Sequence, residues 1–426
     1  MTAAASVLLV TAMSVAACSD SGRTGSGATA TDPGPPSETD AGGADAPVDD
    51  GELRIGMLLP LTGPGAEIGR ALRDAARWAI AEVNAAGGVA GRPVRQSIQD
   101  EGADATTAVR GLAALIANDV DVIVGPASSI VAASTLPVTT EAGLLTCSPT
   151  ASALSLDRFP DAGLFVRTIP SDRLQATALA RLVEQSGERR VAVLYLDDPF
   201  GRPLAEAVRD ELGSFAELVA FIPFVDTDAE YADEANEAVA SAPRATIVVG
   251  DATAGPRMLE ALFSQGALEG SVVIGDAMRV PDATNGYARL GANSLERLRG
   301  VSPTSLALAP TFIDAYVDRV GAEPSLFAGN AADCVTLVAL AAREAQSTVP
   351  ADIAREIPEV SNAGTQCVTF DECSAAIAEG RNVDFDGSTG HLRIGFDGDP
   401  VRGVFDVFGF DRLGRSISTG VSLVVE

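Results

Sequence analysis

Residues 120–147 read VDVIVGPASSIVAASTLPVTTEAGLLTC, and the fold is decided here. The run 120–124 is short, apolar and β-branched, as expected of a strand buried on both faces. Gly125-Pro126 breaks it, Ser128 and Ser129 offer capping hydroxyls, and residues 130–142 continue as a helix. Gly143 then stops the helix and residues 144–147 return as a second apolar strand. A strand, a helix and a strand in this order predict a parallel sheet covered by helices.

The same alternation extends in both directions. Upstream, residues 53–59 (LRIGMLL) read as a strand, followed by the turn PLTGPGAEIG and a helix over 70–86 that Gly87-Gly88 ends. Residues 94–99 give a strand and 106–118 a helix, completing one doubly wound α/β unit. The pattern restarts after Phe165-Val166-Arg167-Thr168-Ile169-Pro170. Strands are expected over 190–196, 219–224, 246–250 and 271–275, with helices over 173–184, 201–212, 229–240 and 255–264. Two such units imply a cleft between them, because ligands in open α/β sheets sit beyond the carboxyl ends of the strands.

Residues 1–17 form an apolar stretch of export-signal length, too short for a permanent membrane span. Val15-Ala16-Ala17 before Cys18 resembles the bacterial lipobox, which makes Cys18 the expected lipidation site. Nothing basic precedes Arg23, so the reading expects a start several codons upstream. Residues 18–50, rich in Gly, Ser, Thr, Ala, Pro and Asp, read as a disordered tether reaching roughly 30 Å.

About 375 residues remain, enough for two lobes. A net charge of −28 excludes nucleic acid and anionic lipid surfaces as partners by repulsion. The single histidine, His391, leaves little material for a His-based triad or a metal centre, so neither metal nor cofactor is expected. No nucleophile elbow and no phosphate loop occurs, and no nucleophile–base pair can be named, which argues against an enzyme. Cys367 and Cys373, six apart in GTQCVTFDEC, are expected to pair in an exported protein. Cys147 and Cys334 could pair or remain buried thiols.

Five ordered stretches together resemble the type I periplasmic-binding-protein fold. They are IGMLLPLTGPGAEIG, AEVNAAGGVAGRPV, the 122–152 region, VAVLYLDDPFGRPLAEAV and FDGSTGHLRIGFDGDPVRGVFDVF. Within that fold the chain is similar to the branched-chain amino acid and amide binding proteins of ABC importers. The resemblance covers residues 52–426 and implies two lobes joined by three crossings, near Ile169, Arg299-Gly300 and residues 387–392. Lobe one is then 52–168 plus 301–388, and lobe two 169–300 plus 389–426.

Read locally, Ser128 and Ser129 are either ordinary helix caps or, with free backbone N–H groups of the 125–129 turn, a site for a carboxylate or amide oxygen. The resemblance favours the site. It implies that Ser129, Ala151 and Ser152 contact the carboxylate and ammonium of an amino acid, and that Phe200 replaces a tyrosine that closes from lobe two. Asp251 and Asp276, each after a strand, are candidates to meet a ligand cation, although each could equally cap a helix or lie in an exposed loop. Glu67-Ile68 and Ala252 stand where the family often has aromatics, so the side-chain pocket is expected to differ.

What the resemblance implies in function is an extracytoplasmic, monomeric lipoprotein on the outer face of the cell membrane. It would capture a small polar solute by hinge closure and pass it to an ABC transporter permease, without a cofactor. A ligand sensor of the same fold, reporting to a membrane signalling partner, is the alternative.

Overall fold

The computed structural model describes residues 48–63, 65–226, 230–265, 270–279, 287–303, 310–388 and 392–426. The expected export segment, Cys18, the tether up to residue 47 and His391 lie outside the described residues. No described helix is long and apolar enough to cross a membrane.

Five strands, β1 (Arg54–Leu59), β2 (Arg95–Asp100), β3 (Val122–Val124), β4 (Leu145–Ser148) and β5 (Phe165–Arg167), form a parallel sheet in the order β2-β1-β3-β4-β5. Three helices connect them: α1 (Ala66–Ala85), α2 (Ala105–Ile116) and α3 (Ser129–Glu141). The strand order reverses between β1 and β3, so the loops after these two strands flank the place where a doubly wound sheet binds ligands. Helix α1 starts four residues before the expected 70, at Ala66. Gly69 permits this, because a Cβ there would stand 1.8 Å from the Pro60 carbonyl oxygen. That glycine serves close packing, whereas in the sequence it reads as part of a turn.

The chain then builds a second sheet from β6 (Arg190–Leu196), β7 (Glu217–Phe224), β8 (Ala245–Val249), β9 (Ser271–Ile274) and β10 (Leu298–Pro303). Helices α4 (Asp172–Ser186), α5 (Gly201–Leu212), α6 (Ala232–Ala240), α7 (Ala254–Ser264) and the short α8 (Ala292–Leu295) accompany them. After α9 (Pro310–Val320), α10 (Ala328–Ala345) and α11 (Pro350–Glu356) comes a two-stranded pair, β11 (Thr365–Cys367) and β12 (Val383–Phe385), joined through α12 (Phe370–Ala378). The hairpin β13 (Gly403–Phe410) and β14 (Ser416–Val425) completes the second sheet in the order β14-β13-β10-β9-β8-β6-β7. Its parallel part repeats the order of the first sheet, with a reversal between β6 and β8. The hairpin is antiparallel.

Two of the expected crossings move. β10 remains in the second sheet through Pro303, paired with Phe405, so the passage out of that sheet follows Pro303 instead of lying at Arg299-Gly300. Leu392 and Ile394 belong to the core under the first sheet, and the Arg167 N–H donates to the Gly398 carbonyl at 3.0 Å. Residues 392–400 therefore pack with the first sheet, and the last passage follows them, beyond the expected 387–392.

The first core lies between α1, α10 and one face of β1, β3 and β4. Helix α10 is apolar almost all round and buried from Ala328 to Ala342, as a helix with no solvent face must be. Cys334 on α10 pairs with Cys147 of β4, resolving the choice the sequence leaves open, and Cys367 pairs with Cys373.

Candidate functional site

The loop after β3 begins at Gly125, whose φ of 115° and 2.0 Å approach of a would-be Cβ to the Leu58 carbonyl admit no side chain. It delivers Ser128 as the N-cap of α3, accepting from Val131 N at 3.4 Å. Two N–H groups of this turn are not free for a ligand. Those of Ala127 and Ser128 donate to the Glu101 carboxylate at 2.7 and 2.8 Å. Glu101 is fully buried, and burial pushes its carboxyl up to about 7 against the pull of these two donors. The sequence reading overlooked that an acid one residue past β2 reaches the helix N-terminus first.

The Ser129 hydroxyl accepts from Ala153 N at 3.2 Å, which brings the loops after β3 and β4 together. Ser148 strengthens the join by donating to the Pro126 carbonyl at 2.6 Å and accepting from Ala151 N at 2.9 Å. Beneath them lies Arg167, with no exposed side-chain surface. Its Nη1 donates to the carbonyls of Ala151 and Ala153 at 3.2 and 3.3 Å, its Nε and Nη2 to Asp399 at 2.6 and 2.8 Å, and Nη2 also to Asp157. All five guanidinium donors are thus engaged. Ala151 is consequently held with its carbonyl turned to Arg167, and Ser152 follows it, 5% exposed.

Ser152 meets the second lobe at Asp172, a residue that sequence reasoning missed. The Asp172 N–H donates to the Ser152 carbonyl at 2.9 Å, and Gln175 Nε2 donates to Asp172 Oδ1 at 3.1 Å. Gln175 Oε1 in turn accepts from Asp276 N at 3.2 Å. Asp172 Oδ2 has no hydrogen-bond partner of full geometry, although the Ser152 hydroxyl is near enough to pull the carboxyl's pKa down. Burial, helped by the neighbouring Asp276 charge, pushes Asp172 up to about 7, and burial raises Asp276 as well. Asp172 beside Ser152 and Asp276 beyond Gln175 are thus two acids raised by burial more than Arg167 and Arg279 lower them, an arrangement that a further cation relieves. The signal in the sequence was Ser171-Asp172-x-x-Gln175 directly after the first crossing, which puts acid and amide one helical turn apart.

Asp251 is used differently. Its carboxylate accepts from the N–H groups of Thr253 and Ala254 at 2.8 and 2.6 Å, capping α7. Phe200 stands at the start of α5, packed against the core that includes Leu194-flanking residues Val193 and Tyr195, with Leu154 of the 154–156 turn on the same cluster. Among the described residues no group of three His, Cys, Asp or Glu side chains is placed to hold a metal.

Two sheets of one strand order, with their switch-point loops and a shared polar cluster between Ser152 and Asp276, define a two-lobed α/β receptor for a small solute. The sequence profile of the family described as periplasmic binding protein matches residues 52–393, and the chain belongs to that family. The chemotactic signal transduction system substrate-binding protein BasB of Halobacterium salinarum is 29% identical over 367 residues, covering 82% of this chain and 85% of that protein. A Leu/Ile/Val-binding protein of Rhizobium johnstonii is 32% identical over 179 residues, 41% of this chain and 48% of its own length. Among solved structures, the branched-chain amino acid transporter substrate-binding protein of Streptococcus pneumoniae, in complex with isoleucine, superposes with a TM-score of 0.70 at 22% identity, covering 88% of this chain and 99% of that one. A solute-binding protein of Rhodopseudomonas palustris in complex with benzoate gives 0.64 at 18% identity, over 87% and 96%. The fold is that of type I periplasmic binding proteins, and the chain is a binding protein for a small ligand.

Proposed function

We propose that the protein captures an amino acid or a related small amide between its lobes and hands it to an ABC importer. The observation that carries this reading is the cluster of Ser152, Asp172, Gln175 and Asp276, where the loop after β4 meets two elevated acids of lobe two. An ammonium would be stabilised between Asp172 and Asp276, while the Ser129 hydroxyl, which keeps its own proton to donate, receives a carboxylate or amide oxygen. Lobe two would rotate over solute held on lobe one, adding Phe200 from above. Closure follows ligand only to the extent that the closed state binds it more tightly. The lobes are taken as 52–168 with 310–400, and 169–303 with 403–426. Export, lipidation at Cys18 and a site of action outside the cell membrane complete the reading, and mass spectrometry of the membrane-bound protein tests the lipid.

A thermal-shift panel of amino acids, amides, urea compounds and aromatic acids tests the solute class. A ligand at 100 times its dissociation constant should stabilise the protein by ~2.7 kcal/mol. Absence of a shift with every amino acid and amide sinks the solute assignment while leaving the fold untouched. The similarity to BasB over most of both chains favours a second reading, in which the loaded form reports to a membrane signalling partner. Solute uptake lost on deletion supports delivery; taxis lost with uptake intact supports sensing.

A further inference from the structure

Away from the cleft, α1, α9, α10, α12 and β12 enclose a cavity of about 100 Å³ that none of the cleft side chains lines. Water needs only about 10–15 Å³ of such space, so the cavity has room for a compact organic molecule. Its walls are aromatic: Trp78, Phe312, Phe370 and Phe385 all face it. Trp78 and Phe312 meet edge to face at 5.1 Å between ring centroids. Its buried acid is Asp333 on α10, 3% exposed, and Glu82 and the exposed Asp371 add two further carboxyls to the lining. Ser388 donates to both Asp333 oxygens, from N and Oγ, at 2.7 Å each. No arginine or lysine is among the described residues that line the cavity, and the lining acid Glu82 is paired with Arg319 at 2.8 Å.

A buried carboxylate beside four aromatic rings, with two more acids in the lining, suits an organic ammonium, because both the negative charge and the ring quadrupoles attract a weakly hydrated cation. The indole N–H of the lining residue Trp78 is buried without an acceptor among the described residues, and a ligand oxygen brought against it would satisfy it. We propose that this cavity is a second binding site, separate from the inter-lobe cleft, for a small hydroxyl-bearing organic ammonium ion. Burial pushes the Asp333 carboxyl up to about 7, in keeping with an acid that gains from a cation.

Trp78 is the chain's single tryptophan, so its fluorescence reports on this site alone. Choline chloride serves as probe, titrated into the purified protein against sodium chloride of equal ionic strength, with choline's uncharged carbon isostere in parallel. A saturable change with choline is expected, with the isostere at least about tenfold weaker. Asp333→Asn should weaken choline by a similar factor, and Phe312→Leu, which stays apolar but removes a π face, by severalfold. Circular dichroism and thermal melting establish that each variant is folded, and Phe312→Leu carries the test if Asp333→Asn is not. The proposal is overturned by the absence of a saturable change, by equal binding of the isostere, or by unchanged binding in the folded variants.

Discussion

The two lobes share a strand order but brace their ligand-facing loops in opposite ways. In the first, the loops after β3 and β4 are tied to each other and to Arg167, which spends every donor on holding them. In the second, Asp172 and Asp276 are linked only through Gln175 and carry charge that the interior resists. One side is a pre-set floor, and the other is a titratable surface that a ligand or a proton can settle. A receptor needs both, since a rigid floor gives selectivity while an unsettled lid leaves free energy for closure.

The comparison breaks most sharply at Arg167. Arg167→Met leaves Asp399 buried without a cation and Asp157 with only the exposed Arg173, and a loss of about 4 kcal/mol in denaturant stability is expected. A loss below about 1 kcal/mol would mean the floor stands without it. Next comes the Cys147–Cys334 bridge, which spans 187 residues of sequence; replacing both cysteines by Ala should cost about 3 kcal/mol, read as a lower melting temperature.

On the second side, Asp172→Asn should weaken a cationic solute at least about tenfold, measured by calorimetry, while raising the stability of the empty protein at neutral pH. The sign follows from proton binding. Asp172, Glu101, Asp121 and Asp333 are all pushed up to about 7, above an unfolded value of about 4. Between these values the folded state holds more protons than the unfolded one, so stability falls as pH rises from about 4 to about 7. Melting across that range should show a downward slope, shallower in Asp172→Asn, and a flat profile contradicts the burial of these acids. The smallest effect belongs to Ser129→Ala, which frees Ala153 N and should cost about 1 kcal/mol in stability.

Most of the architecture was legible because its signals are local. The strand at Arg190–Leu196 and the helix at Gly201–Leu212 are found where apolar runs and turn residues put them. The crossings were less legible, because whether Pro303 or Ile394 belongs to one sheet or the other is set by partners far along the chain. At the site, Ser128 and Asp251 carry out the capping roles their residue types suggest, whereas Ser152 and Asp276 are brought to one cluster. Glu101 and Asp172 escaped notice because acids near strand and helix ends look like solvated turn residues until burial is known. Arg167 is the extreme case, an arginine inside a strand with one acidic partner 10 residues before it and the other 232 residues after it.

That separation has a meaning for the order in which the chain can fold. Asp157 is within reach as soon as Arg167 is made, whereas Asp399, which takes the Nε bond and one from Nη2, is synthesised 232 residues later. The full lock on the first lobe therefore waits for that downstream segment, and a nascent chain that lacks it has the Arg167 guanidinium held by Asp157 alone among the acids.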